Sequence, residues 1–310
     1  MRGCMIGAIV RTMAIMALLS RALSPSAVAQ IQAPAADPSG VIGAIRRQPA
    51  GPPEPTPRLK DGTVNLARPR GEKGVWGLPV IANFAQYAAG VSKDFRGNLR
   101  AGAAAEPHIP FQPWAAAVYN YNSVNLSKFD PEGYCLPPGG PRLMATPFPM
   151  EVIQLPEEDR IVMIYEGGAH IWREIYMDGR PHPPRDAIDG QTYIGHSVGH
   201  WEGDTLVIDS VGYNEATWLD QWGHPHTNQL HVIEKITRPN KNTMHYEATI
   251  DDPGAYTRPW TTAWDIPWAA KQELQEYICQ DHNVWIQSLH DDFGKPVFYR
   301  PPPPASTGNK

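Results

Sequence analysis

The chain has 310 residues, of which 42% are hydrophobic and 19% charged, and its formal net charge is −5. This length fits one large domain rather than two. Residues 1–29 contain three arginines and no acidic residue, so without them 24 basic residues stand against 32 acidic ones, a net charge of −8. No block of lysine or arginine is available to neutralise phosphates, which argues against a nucleic-acid partner.

The first 29 residues have the pattern of a secretory signal peptide. Arg2 and Arg11 precede an apolar run over 13–19, and Ala27-Val28-Ala29 supplies the small-x-small motif that signal peptidase accepts. The apolar run is too short to span a bilayer, and no later segment is long enough. We therefore predict cleavage near Ala29 and a periplasmic or secreted protein with no stable membrane insertion.

The next part of the chain predicts little regular structure. Residues 30–70 are rich in proline and alanine without an apolar period, which is typical of an arm or linker. Residues 71–149 predict short helices and loops that pack on the main domain, with helical spacing at 79–92 and 112–127. One side of the second helix carries Trp114, Ala117, Val118 and Tyr121.

From residue 150 onward the sequence consists of short alternating runs separated by turn residues, which predicts antiparallel strands. The predicted strands are 150–154, 160–166, 170–177, 192–201, 205–211, 229–238, 243–250, 258–265 and 272–279. Because no connection has the length of a helical crossover, we expect a mainly β fold: an up-and-down antiparallel β-barrel of the lipocalin or calycin kind over 150–300. A two-sheet sandwich is the alternative. The proline-led tail 301–310 predicts disorder.

Residues 195–209, GHSVGHWEGDTLVID, predict a strand, a tight turn and a second strand. Alternation places His196, Val198 and His200 on one face of the first strand. An imidazole-bearing face suggests a lined pocket. His196 and His200 are therefore candidates for substrate binding or for an acid–base pair.

Asp209 is an acidic residue in an otherwise apolar predicted strand. A partner such as His231 could keep its carboxylate ionised. Asp209 would in turn orient the imidazole, which is the arrangement that a histidine base needs.

The densest group of titratable residues follows this hairpin. It comprises Asp220, His224, His226, His231 and Glu234. Histidine and carboxylate side chains can bind a divalent metal or move protons near neutral pH. The spacing HPHTNQLH matches neither the helical HExxH zinc signature nor a Cys/His structural site. Three interpretations stay open: a transition-metal site, acid–base chemistry without metal, and loop histidines that hydrogen-bond the backbone.

Glu234 is predicted to lie among apolar neighbours, because alternation puts it on one face with Val232 and Ile236. If that face is inward, desolvation raises the pKa of Glu234 unless a cation holds it ionised. Arg173 could be that cation, since it alternates with Ile175 in the strand 170–177. A catalytic pair and a buried brace across the barrel fit this pattern equally well.

Several aromatic and polar residues suit a ring-bearing ligand, although the same residues also suit the outer covering of a barrel. All ten tryptophans follow residue 29, which favours an apolar or aromatic small molecule. Trp172 and Tyr176 lie on the face opposite Arg173. The candidate substrate-binding residues are His196, His200, Glu166, Tyr176, Trp172 and Trp218.

Two cysteines, Cys135 and Cys279, remain after the signal peptide. An oxidising compartment would permit them to pair, so we predict a disulfide, with a reactive thiol as the alternative.

Several linked motifs resemble those of a large group of secreted bacterial β-rich proteins of uncharacterised function. They are CLPPGGPR (135–142), YEGG (165–168), DGRPHP (178–183), GHSVGHWEGDTLVID (195–209), TWLDQWGHPHTNQLHVIEK (217–235) and TIDDPGAYTRPW (249–260). The resemblance covers the chain from about Trp114 to Asn283. The group usually has Arg where this chain has Lys235, and often Ser where it has Thr227. The resemblance implies a family but no reaction type.

Together these features predict an extracytoplasmic enzyme, of lyase, isomerase or hydrolase type, that acts on a ring-containing small molecule of aromatic type in the barrel. His224 or His226 would be the base or acid, Asp220 or Glu234 would orient it, and Arg173 would stabilise negative charge. His231 is a further catalytic candidate. GHSVG (195–199) matches the letters of G-x-S-x-G, but it lies in a predicted hairpin rather than at a strand-to-helix turn, and Ser197 has no argued base. The chain contains no phosphate loop or dinucleotide fingerprint.

No cofactor is required on this hypothesis. One alternative is a non-catalytic, lipocalin-like binding protein, and another is a metal-dependent enzyme that uses the histidine cluster and a divalent metal.

Overall fold

The computed structural model describes residues 53–91, 108–125, 128–168, 171–184 and 191–282. The chain separates into a unit of residues 1–41 and a unit of residues 42–310, and every described residue belongs to the second. The predicted signal peptide, its cleavage site near Ala29 and the predicted disordered tail lie outside the described residues. No helix among the residues described is long and apolar enough to cross a membrane.

Nine strands and two helices form the regular structure of the described residues, apart from short 3-10 turns. The strands are β1 (Gly74–Gly77), β2 (Pro149–Leu155), β3 (Arg160–Tyr165), β4 (Trp172–Tyr176), β5 (His196–Glu202), β6 (Thr205–Val211), β7 (His231–Asn240), β8 (Thr243–Asp251) and β9 (Trp260–Ala270). The helices are α1 (Pro113–Asn125) and α2 (Cys279–His282).

The nine strands close into one barrel, in which chain neighbours pair and β1 pairs with β9. This confirms the predicted mainly β barrel. The topology differs from the predicted all-antiparallel one, because β4 and β5 run parallel. An odd number of strands cannot alternate in direction all the way round a closed barrel, so one parallel pair is a geometric necessity. The connection over 177–195 makes this pair possible, since parallel strands need a crossover of about a dozen residues or more.

Three further differences concern where regular structure begins and ends. The barrel includes β1, which lies before the predicted range 150–300. Residues 272–278 form no strand. The predicted helix over 79–92 is reduced to a 3-10 turn at Phe84–Tyr87, which the Asn83 side chain caps by accepting from the backbone N–H of Ala85.

The barrel interior is filled with side chains. Alternate residues of the strands are buried, as in β8, where the odd-numbered positions are half-exposed and the even-numbered ones are sealed from solvent. Met163, Ile175, Ile208 and Tyr246 are among the fully buried residues that occupy the centre. The alternation predicted from the sequence therefore corresponds to a packed core.

Helix α1 forms where it was predicted, but the predicted apolar side faces outward. Trp114, Val118 and Tyr121 are each more than a third exposed. The buried side instead presents Ala115 and Tyr119. Small and polar residues on this side let the helix approach the loops at the barrel end closely, so apolar periodicity alone pointed to the wrong face.

The predicted disulfide between Cys135 and Cys279 is present, with Cα atoms 5.6 Å apart. It anchors the segment that follows β9. In the same segment the Tyr277 ring packs on Phe148 at 4.6 Å between centroids. The backbone N–H of Gln275 donates to the Glu166 carboxylate over 2.8 Å.

Candidate functional site

Three histidines and an aspartate meet on the outer face of the barrel. His196 begins β5, Asp209 lies in β6 and His231 begins β7, while His182 comes from the connection after β4. Their strand neighbours Ser197, Ser210 and Val232 are buried, so alternation turns His196, Asp209 and His231 outward. We call His196, His182, Asp209 and His231 the histidine chain.

Hydrogen bonds join the four side chains in that order. His231 Nε2 lies 2.7 Å from Asp209 Oδ1, and His182 Nε2 lies 3.0 Å from the same oxygen. His182 Nδ1 lies 2.9 Å from His196 Nδ1. The predicted contact between Asp209 and His231 is therefore confirmed, and His182 extends it to His196.

The contacts determine where the protons lie when the imidazoles are neutral. The Asp209 carboxylate only accepts, so His182 and His231 both donate from Nε2. His182 Nδ1 then has a lone pair and accepts from the Nδ1–H of His196. The remaining nitrogens, His196 Nε2 and His231 Nδ1, carry lone pairs and are not among the buried atoms that lack a partner. The histidine chain thus has one basic nitrogen at each end, on His196 and on His231.

Aromatic and cationic groups border the His196 end. The Tyr176 ring stacks on the His196 imidazole, with centroids 5.3 Å apart. The Arg180 guanidinium lies 3.9 Å from the centre of the Tyr176 ring and is held by Asp178. Burial, followed by the nearby His182 and Arg180, lowers the pKa of His196. His196 is therefore a neutral base at neutral pH.

The strand register places His196 and His231, the two ends of the histidine chain, on either side of the apolar residue Val211. His196 pairs with Val211, and the pairing of Ser210 with Val232 puts His231 on the other side of Val211. Two strand spacings separate the Cα atoms of His196 and His231 by about 10 Å. Val211 is half-buried between them. A small ring compound has the dimensions to lie across this row.

His200 lies on the same strand face as His196 but is not part of the histidine chain. Its Nε2 lies 3.2 Å from Glu202, and both side chains are about 60% exposed. His200 and Trp201 line a cleft of about 330 Å³ between β5 and the segment 59–63. The predicted pairing of His196 with His200 is not present.

The predicted cluster around residues 220–234 is divided among four places in the structure, one of which is His231 in the histidine chain. His224 Nδ1 lies 2.7 Å from Asp220 Oδ2, close enough for an ion pair but not aligned for a hydrogen bond. Both side chains are fully buried, and the His224 ring packs against both Phe111 and Tyr119. Burial opposes ionisation of Asp220, but His224 and backbone N–H groups outweigh it and lower its pKa. This pair is sealed from ligands.

His226 is buried with both ring nitrogens in contact with protein groups. Nδ1 lies 3.2 Å from the carbonyl of Thr227 and therefore donates, while Nε2 lies 2.9 Å from the Thr217 hydroxyl and accepts. Burial is the main cause that lowers the pKa of His226. Of the three interpretations left open by the sequence, these contacts fit the one in which a loop histidine hydrogen-bonds the backbone.

The buried His226 should make folding sensitive to pH. The folded state keeps this imidazole neutral below the ordinary His pKa of 6.5, whereas the unfolded chain protonates, so stability is lost as the pH falls below 6.5. We expect His226→Gln to flatten the dependence of unfolding free energy on pH below 6.5 by at most about 1.4 kcal/mol per pH unit. Urea unfolding across this range measures it. The matched change at the exposed His245, His245→Gln, should flatten it less, and equal effects would contradict this prediction.

Glu234 and Arg173 form an ion pair inside the barrel. Arg173 Nη1 donates to Glu234 Oε1 over 3.0 Å, and Nη2 donates to Oε2. Arg173 also donates to Ser197 and Ser210, and the Tyr246 hydroxyl donates to Glu234 over 2.7 Å. Both charged side chains are no more than 3% exposed. These contacts satisfy the charges from all sides, as a brace across the barrel would.

The remaining candidates lie apart from one another. Glu166 is buried under the segment that follows β9, and burial raises its pKa. Trp172 is 64% exposed and shares the outer face of β4 with Tyr176. Trp218 is half-buried in the loop between β6 and β7. Of the predicted substrate-binding residues, the structure brings only His196 and Tyr176 together.

Sequence reasoning missed His182. It lies in the motif DGRPHP, whose glycine and prolines mark a loop, and nothing in the alternation of a strand predicts where a loop side chain points. Among the described residues no group of three or more His, Cys, Asp or Glu side chains has the geometry to hold a metal ion. The histidine chain uses its nitrogens to bond one another and Asp209, so proton transfer is the chemistry that it supports.

Comparison with protein-family models, with curated proteins and with solved structures gives no match to this chain.

Proposed function

We propose that this protein is an enzyme that uses the histidine chain for acid–base catalysis on a ring-containing small molecule. The single observation that carries the proposal is the hydrogen-bonded series from His196 through His182 and Asp209 to His231. A base that is neutral, oriented by a second group and open to solvent has the properties that proton abstraction needs. The sequence suggested His224 or His226 as the catalytic base. Because both residues are buried, we propose His196 as the base instead.

In this mechanism His196 Nε2 takes a proton from the substrate and becomes an imidazolium. Its Nδ1–H bond to His182 then becomes charge-assisted and stronger. His182 passes this polarisation to Asp209, whose negative charge stabilises the protonated state of the chain. His182 and Asp209 are positioning residues, and only His196 and His231 meet the substrate.

The surroundings of His196 favour a planar substrate. The Tyr176 ring stacks on the His196 imidazole. Trp172 presents an exposed ring four residues before Tyr176, on the same face of β4. Aromatic rings give flat apolar surfaces that stack on other rings. A lyase or isomerase reaction on such a substrate needs only proton transfers, which the chain supplies.

A lipocalin-like carrier is the competing proposal, and the barrel interior weighs against it. Such a carrier holds its ligand along the barrel axis. Here Arg173 and Tyr246 both donate to Glu234 inside the barrel, and all three side chains are buried. A ligand inside would have to displace a satisfied ion pair, which leaves buried charges without partners.

We further propose that the enzyme works outside the cytoplasm. The disulfide between Cys135 and Cys279 supports this, since disulfides persist in oxidising compartments. The signal-peptide pattern of residues 1–29 supports it independently. Mass spectrometry of the N-terminus of the exported protein tests the location, and an intact Met1 or a cytoplasmic protein would contradict it.

The catalytic proposal is tested with 5-nitrobenzisoxazole, an aromatic compound whose ring opens to a coloured phenolate when a base removes its one heterocyclic C–H proton. We expect turnover by the wild-type protein and a loss of at least about tenfold in His196→Ala, at the low end of what a general base contributes. The matched control is His245→Ala, which removes an exposed histidine that also pairs with an aspartate, Asp265, on the outer barrel face.

The control variant should keep the wild-type rate, because His245 bonds no second histidine. Circular dichroism establishes that both variants stay folded. Equal rates for His196→Ala and the wild type, or no turnover above that of free imidazole at the same concentration, would reject the proposed function.

A further inference from the structure

The histidine chain has two ends, and they differ in their electrostatic surroundings. His196 faces the positive Arg180 as well as His182, both of which oppose protonation. His231 touches the Asp209 carboxylate directly, at 2.7 Å. A carboxylate therefore contacts the His231 end, while a guanidinium lies near the His196 end.

His196 and His231 also lie on the same strip of the outer barrel surface. His196, Val211 and His231 form one row across β5, β6 and β7, with all three side chains outward. The middle residue is apolar and half-buried, so it offers a floor for the carbon skeleton of a ligand. His196 and His231, about 10 Å apart between Cα atoms, leave room for one ring-sized molecule whose two reacting groups lie on neighbouring carbons between the imidazoles.

We propose that His196 and His231 are the base and the acid of an elimination, and that the substrate is a ring-bearing compound with a hydroxyl group one carbon away from an acidic C–H. This inference rests on the proposed function and names its substrate class. Asp209 serves both ends, because it holds His231 directly and His196 through His182.

The reaction balances without a cofactor. His196 Nε2 takes the proton of the C–H bond, and the electron pair of that bond forms the new C=C double bond. The C–O bond breaks, and the Nδ1–H of protonated His231 gives its proton to the departing oxygen, so water leaves. His196 then releases its proton to solvent and His231 takes one up, which both half-exposed side chains permit.

Two probes separate the acid from the base. 5-Nitrobenzisoxazole needs a base, while its leaving group departs as a stable phenolate without a proton. 4-Hydroxy-4-phenylbutan-2-one needs both, because the base removes the proton next to the carbonyl and the hydroxyl leaves as water to give a conjugated ketone that absorbs in the ultraviolet. Steady-state rates on both probes are compared for the wild type, His196→Ala and His231→Ala.

We expect His196→Ala to lower both rates by at least about tenfold. We expect His231→Ala to lower the dehydration rate by at least about tenfold and the benzisoxazole rate by a smaller factor, since Asp209 still holds His182. His245→Ala should leave both rates unchanged. A His231→Ala variant that slows both probes equally has only a structural defect, and this overturns the assignment of His231 as the acid.

The outcomes distinguish the two proposals. If His196→Ala slows the benzisoxazole reaction while His231→Ala leaves dehydration unchanged, His196 stands as the base. The elimination with His231 as its acid is then rejected. If the wild-type protein turns over neither probe above free imidazole, the proposed function itself is rejected.

Discussion

The Glu234→Leu variant is expected to lose about 3–5 kcal/mol of unfolding free energy. Glu234 is 1% exposed and holds both terminal nitrogens of Arg173. Without the carboxylate, the guanidinium stays buried among neutral hydroxyl groups such as those of Ser197 and Ser210, and its charge loses the Glu234 counterion. Urea unfolding followed by tryptophan fluorescence measures the loss.

The matched control uses an exposed ion pair of the same barrel. Glu273 pairs with Lys73 at 2.8 Å, and both side chains are more than half exposed. Glu273→Leu should therefore lower the unfolding free energy much less than Glu234→Leu does, because solvent screens an exposed pair. The double variant Arg173→Met with Glu234→Leu should recover much of the stability, since apolar residues of similar volume often replace a buried pair without loss. A double variant less stable than Glu234→Leu would contradict this account.

Loss of the disulfide is the second change with a large expected effect. Cys135 and Cys279 are 144 residues apart in sequence, so the crosslink restricts a long loop in the unfolded chain. We expect the Cys135→Ser, Cys279→Ser double variant to lose about 2–5 kcal/mol of unfolding free energy. Urea unfolding under non-reducing conditions measures the difference from the wild type.

Reduction provides the control for this prediction. A reducing agent should bring the wild type to the stability of the double variant and should leave the double variant unchanged. The segment after β9 also contacts the rest of the protein through Tyr277 and Gln275, so the folded state should survive reduction with lower stability. Equal stability of the oxidised and reduced wild type would contradict the prediction.

The candidate site was predictable in part from strand alternation. Asp209 and His231 were expected to meet, and they do, because neighbouring strands place outward residues side by side. The connection to His196 was not predictable, since it passes through His182 in an irregular loop. The residues of the cluster over 220–234 are close in sequence but not in space. His224 lies in a loop and packs in an aromatic core, whereas Glu234 lies in β7 and points into the barrel.

By itself the sequence determined which strand residues point the same way. Side chains alternate along any strand, so the placement of Glu234 and Arg173 on one surface and of His196, Asp209 and His231 on the other follows from the local pattern. The hydrophobic neighbours of Glu234 also made its surface a candidate for burial, because burial of apolar area drives folding.

Only the tertiary structure decided which of these groups meet and how the barrel closes. The parallel pairing of β4 with β5 follows from the odd number of strands, which depends on β1 joining β9 across the whole chain. Helix α1 buries the side with Ala115 and Tyr119 and exposes the side with Trp114, Val118 and Tyr121. The segments that the helix packs on decided which side is covered, and its own apolar spacing did not. Contacts between distant segments depend on the complete packing arrangement, and no local pattern of residues encodes them.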